Sequence, residues 1–547
     1  MKRASFLLSV TLACFAVSRL AAAEFDVKVY GATGDGRTLD TAAINRAIEA
    51  AATAGGGTVR FAGGNYLCHS IHLRSHVALY LDAGATIVAA DPLPLGTSGG
   101  YDDPEPNPWD FYEDFGHSHF HNSLIWGENL EDVSIIGPGR IFGRGLSRGW
   151  HTTRIAAAPG EVTDNLPPDR ILDEQRPLKS GPFGYPAGHD TLDNGVGNKA
   201  IALKNCRNVI FRDFTVFHGG HFAILATGVD NFTCDNLKID TNRDGIDFDC
   251  CQNVRVSNCF VNSPYDDGIC PKSSFALGYA RPTENVTITN CQVSGYLEGS
   301  FLDGTRQPRR DGHIGTGRIK CGTESNSGFR NITITNCVFD HCLGFALESV
   351  DGALMEDIAV SNLTMRDVGN APIFIRLGAR LRGPDQPKIG TARRIKIDNV
   401  IVHGAPASGG ILIAGLPRHP IEDLTISNLF IDYAGGGTKE EAARVVPEYE
   451  REYPEPSRFG RLPSSALFVH HATNLALHHI EFRFATPDQR PSAVFDDVAG
   501  LDLDHANLAP APGVPSLALK DVRGLAIHNS PPLPDTHRSE LIANEKL

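Results

Sequence analysis

The stretch NFTCDNLKIDTNRDGIDFDCCQNVRVSNCFV, residues 231–261, carries one nine-residue unit twice, from Asn231 and again 22 residues on from Asn253. The unit reads N-x-x-x-x-N-x-x-x with alternating apolar positions. It returns as NVTITNCQV (Asn285), NITITNCVF (Asn331), DIAVSNLTM (Asp357), RIKIDNVIV (Arg394) and DLTISNLFI (Asp423), with weaker copies from Asn474, Gly500 and Gly524. Short alternating runs of β-branched and aliphatic residues predict strands with one buried face. Starts 22 to 32 residues apart, with a few longer, suit solenoid coils interrupted by loop insertions. Asparagine fills the sixth place at Asn236, Asn258, Asn290, Asn336, Asn362, Asn399 and Asn428. It tolerates the left-handed backbone of a tight bend, and stacked copies can hydrogen-bond in a ladder. The repeats lack the leucines and intervening helices of a leucine-rich horseshoe. The expected fold is all-β, a single-domain parallel β-helix.

Upstream, residues 42–52 show apolar positions at helical spacing and end at Gly55-Gly56-Gly57. This short N-terminal helix is expected to cap the open end of the solenoid. Two irregular stretches, 92–121 and 145–198, are rich in Pro, Gly, His and aromatics and are expected to build a binding cleft. A third insertion, 439–463, reads as a solvated flap, and Trp150 and Tyr449 are candidates for stacking on sugar rings. Nothing resembles an interdomain linker, so 24–530 reads as one catalytic β-helix domain, with 531–547 as a C-terminal tail.

Residues 1–23 read as a secretory signal: Lys2 and Arg3, an apolar run from Phe6 to Val17, then Ala21-Ala22-Ala23 before Glu24. That run is too short to span a bilayer, so an exported protein, periplasmic or secreted, is expected, without a membrane span. The 547 residues hold 50 Lys and Arg against 64 Asp and Glu, a net charge of −14; losing Lys2, Arg3 and Arg19 with the leader makes it −17. Such a field argues against nucleic acid or anionic membranes as partners. Of twelve cysteines, eleven follow the leader, an odd number that requires at least one free thiol. Cys259, Cys291 and Cys337 occupy the same place in their units, which suits small apolar side chains stacked in the interior. No cysteine–histidine spacing fits zinc. The histidines of GHSHFHN (His117, His119, His121) have metal-like spacing, but loop histidines are more often surface or sugar-stacking groups; no metal is expected.

The acidic residues carry the chemistry. Asp244 lies 13 residues after Asn231, and Asp266 lies 13 after Asn253, with Asp267 beside it. On stacked coils about 4.8 Å apart, these three carboxylates crowd one patch, and one member keeps its proton near neutrality. A protonated acid beside ionised bases is what glycosidic hydrolysis requires. The competing reading, a structural aspartate in an N-x-D-G turn, fits Asp244 alone but not the coincidence of the three. Asp247 and Asp249 point the same way on one strand and serve as support or turn residues. Lys272 either holds Asp267 ionised or contacts sugar. Arg318, Lys320 and Glu324 in the next coil, then Glu348 with Asp351, and Arg376 further on, are candidate substrate contacts.

These features resemble glycoside hydrolase family 28, the polygalacturonase and rhamnogalacturonan hydrolase family. The start FDVKVYGATGDG is similar to that of many bacterial members. The family's N-T-D motif corresponds to Asn242-Arg243-Asp244-Gly245, and its D-D-x-I-x-x-K-S motif to Asp266-Asp267-Gly268-Ile269 with Lys272-Ser273. The resemblance implies a right-handed, pectin-lyase-like solenoid acting on pectic poly- or oligosaccharide by inversion, without a cofactor. In it, Asp266 is the acid while Asp244 and Asp267 hold and deprotonate water. Two motifs depart. The G-H-G motif becomes Gly315-Thr316-Gly317 counting back from IKCGTES, with His313 nearby as a substitute, whereas counting forward from Asn285 points to Tyr296 or Glu298. The R-I-K grip on the galacturonate carboxylate gives way to Ala346-Leu347-Glu348, since Arg318-Ile319-Lys320 falls one coil early. A rhamnogalacturonan-type or substituted substrate is therefore expected, and the insertions 145–198 and 439–463 are expected to close one end of the groove so that cutting proceeds from a chain end. A polysaccharide lyase on the same scaffold, using Ca²⁺, and a non-catalytic carbohydrate-binding solenoid are the competing classes.

Overall fold

The computed structural model describes residues 23–93, 99–113, 116–147, 194–408, 410–508 and 510–547. The expected leader up to residue 22 and most of the 145–198 insertion, Trp150 included, lie outside the described residues. The repeats form a parallel β-helix in which each strand pairs with its equivalent one coil on. Asp230–Asp235, Gln252–Ser257, Thr283–Thr289, Gly328–Asp340, Leu354–Arg366, Thr391–Ala405 and Ile421–Gly435 follow one another in parallel. One inward column runs Phe232, Val254, Val286, Ile332, Ile358, Ile395, Leu424 and Leu475. All eight are buried, and truncating any one to Ala should cost about 2–5 kcal/mol. Cys259, Cys291 and Cys337 lie in the same apolar core, and all eleven described cysteines are buried free thiols.

The sixth-place asparagines form the expected ladder. Their φ angles lie between 52° and 56°. From Asn258 to Asn399 each side-chain N–H donates to the asparagine one coil earlier: Asn290 to Asn258 at 3.3 Å, Asn336 to Asn290 at 3.3 Å, Asn362 to Asn336 at 3.0 Å, Asn399 to Asn362 at 2.7 Å.

Helix Thr41–Thr53 closes the first coils with Ala43, Ile44, Ala47, Ile48 and Ala51 buried. The far end differs from expectation. Residues 531–547 are not a loose tail: strand Thr536–Lys546 runs antiparallel along Leu517–His528, from Ala518 opposite Lys546 to Ile527 opposite Thr536.

A separate face carries the site. Its strands Ile71–His72, Ser123–Glu128, Lys199–Lys204, Phe222–Thr227, Asp244–Asp249 and Ile269–Lys272 stack in that order. A bridge from Ile269 to Ile319 continues the face to Lys320–Cys321, Phe345–Ser349, Ile373–Leu377 and Ile411–Ala414. Ile246, Ile269, Ile319, Phe345, Ile373 and Ile411 point into the core. Alternation sends Asp247, Lys320, Glu348 and Arg376 outward, yet all four are buried, because loops lie over them. Asn107, Glu113 and His117 belong to one cover. The flap is the other, and its Val446, Phe459 and Leu462 pack on Ala346, Phe374, Leu412 and Phe468.

Candidate active site

Asp244, Asp266 and Asp267 come together, each offering a carboxylate oxygen within 4.8 Å of the others. Their register is one residue from that expected. Ile246 pairs with Ile269, and Gly245 N–H donates to the Asp267 carbonyl at 3.0 Å, so Asp244 is level with Asp267 rather than Asp266. The strands before this point keep an offset of 22, as Lys238 opposite Phe260 shows. The extra residue enters in the turn 263–268, which is one longer than 241–245. It pushes Asp266 outward: that side chain is 23% exposed, against 1% for Asp267.

The three acids have different environments. Burial opposes ionisation of Asp267, but Lys320 at 2.5 Å and Arg318 at 2.9 Å outweigh it and hold the carboxyl at about 2. Asp244 is pushed well above the usual range, first by burial, then by the charges of Asp247 and Asp266; its Oδ1 is buried with no hydrogen bond. Asp266 pairs with Arg243 at 2.6 Å. The patch thus contains one firmly ionised carboxylate, one carboxyl that resists ionisation, and one partly exposed member.

The expected substrate contacts form an internal ionic layer instead. Lys272, Arg318, Lys320, Glu324, Glu348 and Arg376 are all buried. Arg318 and Lys320 hold Asp267. Lys272 lies 3.1 Å from Glu324 and 3.6 Å from Asp247, and Glu324 also takes Arg382 at 2.8 Å. Arg376 donates to the carbonyls of Gly415, Glu448 and Tyr449 at 3.3, 2.7 and 3.1 Å. Glu348 is 3.8 Å from Arg318, and burial, only partly opposed by Lys320 and Arg318, pushes its carboxyl up to about 8. The cause is the loop cover, whose Glu455 pairs with Arg318 and whose Tyr453 hydroxyl accepts from Thr323 at 2.9 Å. Tyr449 packs edge-on against Phe459 at 5.6 Å inside the flap instead of facing a sugar.

Gly315–Gly317 lies where counting back placed it: Gly317 N–H donates to the Ser263 and Asp266 carbonyls at 2.8 and 2.9 Å. A Cβ at Gly317 would meet the Ser294 carbonyl at 2.0 Å, at φ +40°, so only glycine passes under the aspartate turn. Tyr296 stacks on His341, and Glu298 pairs with His218 at 3.0 Å. His313 is exposed, its N–H on Asp311, and the structure does not draw it into the buried set.

Sequence reasoning passed over several residues. His117 and His119 are buried rather than on the surface; His117 lies 3.8 Å from Asp247 and 3.9 Å from Glu324. Arg243, which occupies the threonine place of the first motif, was legible as a departure but its pairing with Asp266 was not. Arg309, from the insertion around 295–312, covers Tyr265 at 4.2 Å and donates to the Pro264 carbonyl at 3.0 Å. With Arg243, Arg318 and Lys320 already neutralising the trio, bound calcium would have to displace or oppose them, and that weakens the case for a cation there.

Fold and site together define a right-handed parallel β-helix protein with a three-aspartate centre under a loop cover. Family models for "Rhamnogalacturonase A/epimerase, pectate lyase-like" and "Right handed beta helix region" match residues 25–100 and 190–380. Two of the curated relatives carry polygalacturonase names, while an alginate lyase and a mannuronan C5-epimerase of Azotobacter vinelandii are each 46% identical over only 67 residues, 12% of this chain. An exo-poly-α-D-galacturonosidase of Dickeya chrysanthemi is 23% identical over 64% of this chain and 56% of its own length. A probable polygalacturonase of Vitis vinifera is 24% identical over 75% and 74%. The chain thus spans little more than half of the first of these relatives. Among solved structures, the Yersinia enterocolitica family 28 exopolygalacturonase shares the fold, with TM-score 0.55 and 17% identity over 95% of this chain and 79% of that one.

Proposed function

We propose that the protein is an exported glycoside hydrolase of the polygalacturonase type, acting on pectic material. The observation that carries this reading is the division of labour among three acids in one patch. Asp266, at the cleft, donates the proton to the leaving glycosidic oxygen. Asp244 and Asp267, buried beside it, hold the attacking water, and ionised Asp267 takes its proton. Burial makes Asp244 resist ionisation, so a proton is held within the same patch.

The finer specificity is a rhamnogalacturonan-type or substituted chain attacked from its end. Ala346 and Glu348 stand where a carboxylate grip would be, and Arg318, Lys320, Lys272 and Arg376 are occupied inside the protein. Cover by residues 99–113 and 116–121 and by the flap favours a closed pocket over an open groove, in keeping with the exo-acting names among the relatives. These carboxylate oxygens lie within 4.8 Å of one another, closer than the roughly 6.5–9.5 Å usual between inverting carboxyl groups, so the first-formed anomer decides between inversion and retention.

The deciding experiment is digestion of a panel of pectic oligosaccharides, with released sugars identified and the first-formed anomer read by proton NMR. Monosaccharide release by inversion, lost in Asp266→Asn, is expected. Unsaturated products would instead mean a lyase, and no new reducing ends would mean a binding solenoid. Retention at the anomeric carbon would make Asp244 or Asp267 a nucleophile.

A further inference from the structure

Away from the aspartates, Glu448, His470 and His471 bring one ligand atom each within 4.8 Å of one another. His471 Nε2 is 3.0 Å and His470 Nε2 3.5 Å from Glu448 Oε1. Neighbouring residues on a strand normally face opposite sides of the sheet. Here His471 adopts φ +56°, which swings its ring onto the side of His470, and the two rings stack with centroids 3.8 Å apart.

We propose that Glu448, His470 and His471 form a binding site for a divalent transition metal of the zinc class, and that the bound ion pins the flap to the β-helix. Zinc–nitrogen and zinc–oxygen bonds of about 2.0–2.1 Å at tetrahedral angles put ligand atoms about 3.3 Å apart, and the 3.0 and 3.5 Å separations bracket that edge. Nitrogen and carboxylate donors suit this class of ion better than calcium or magnesium, which prefer all-oxygen shells. The His471 ring is already oriented as a ligand, its Nδ1 2.6 Å from Asp497 Oδ2, a support that raises ligand basicity. Asp496 Oδ2, 3.7 Å from His470 Nε2, completes the set once it releases Lys520, an exposed partner at 3.0 Å. Both histidines are buried on the last coils, whereas Glu448 belongs to the flap. The same flap carries Tyr453 and Glu455 to Thr323 and Arg318. An ion at Glu448 therefore ties down a segment that ends beside Asp267, whatever substrate the enzyme takes.

The test uses the full exported chain, stripped with chelator and titrated with Zn²⁺ by calorimetry and with Co²⁺ by visible absorption. One equivalent is expected, with the intense ligand-field bands of a tetrahedral nitrogen–oxygen site and with proteolysis within 439–463 slowed on loading. Glu448→Gln and His471→Asn should each weaken binding at least tenfold, and Asp497→Asn by about 10–100-fold, while Asp244→Asn leaves the stoichiometry unchanged. Failure to bind either ion at micromolar concentration overturns the proposal, as does full affinity in Glu448→Gln or loss of the equivalent in Asp244→Asn. Because calorimetry and proteolysis need no substrate, these results are independent of the hydrolase reading.

Discussion

Replacing Lys320 by Met tests whether Asp267 serves as the base. The side chain keeps its length and loses the charge that lies 2.5 Å from Asp267 Oδ2. At an effective dielectric of about 20, a unit charge at that range is worth on the order of 7 kcal/mol, or about 5 pKa units. Arg318 stays at 2.9 Å and relaxation recovers part of the loss, so the Asp267 pKa should rise from about 2 by at least roughly 2 units. A base works only when ionised, so its raised pKa moves the acid limb of the kcat/KM profile upward by the same amount. Breaking a buried ion pair also costs about 3–5 kcal/mol, so rates should be compared at a temperature where the variant remains folded. The measurement is kcat/KM between pH 3 and pH 8 on a released-sugar assay. Wild type, with Asp267 at about 2, should show no acid limb from this group above pH 3; a variant profile with no new limb in that range, and activity merely scaled down, would refute the assignment of Asp267 and leave Lys320 a packing residue.

Asp266→Asn should lower hydrolysis by about 10²–10⁴-fold with little change in melting temperature; a loss below tenfold removes Asp266 from the chemistry. Glu348, raised to about 8, favours the fold fully below its unfolded value of about 4.5, and that contribution is lost as pH rises through 8. Glu348→Gln should therefore gain stability relative to wild type between pH 5 and pH 9 in thermal melts, and an unchanged difference would contradict the buried, poorly paired carboxylate. Asn336→Ala, which keeps a β-carbon at φ +56° without the asparagine side chain that favours the left-handed region and removes two ladder hydrogen bonds, should cost about 1–2 kcal/mol, whereas Asn336→Gly, which loses the same bonds, should recover only the backbone share; equal losses would show that the backbone conformation is not the cause. Unbranched polygalacturonate should be cut slowly relative to rhamnogalacturonan-type oligosaccharides, with little early fall in viscosity. Rapid thinning of the polymer would mean internal cleavage in an open groove.

The coils were legible because their periodicity is written twice, in apolar alternation and in the asparagine at each bend. The trio was legible for the same reason, since repeat counting brought Asp244 beside the Asp266–Asp267 pair. The count failed by one residue because strands hold a fixed period while turns absorb insertions freely, and the extra residue of 263–268 fell between the markers. The burial of Lys272, Arg318, Lys320 and Glu348 was not legible at all. Outward-facing charges on a strand look like groove residues until a cover is known, and that cover comes from 99–113, 116–121 and 439–463, segments without periodicity. Glu455 reaches Arg318 across 137 positions of chain, and no local pattern announces such a contact.

Strand Thr536–Lys546 gives the solenoid a stop. A stack of parallel strands has, at its last coil, a row of free N–H and C=O groups that templates another strand as readily as the coil before it did, and identical molecules could join end to end into filaments. Reversing direction along Leu517–His528 breaks that template, because what faces outward is an antiparallel ribbon bearing Arg538, Glu540, Glu545 and Lys546. Helix Thr41–Thr53 blocks the opposite end with backbone groups already satisfied. Resistance to end-to-end stacking is in this view a property of two short terminal segments, and a chain ending at residue 530 should fold its coils yet grow into fibres.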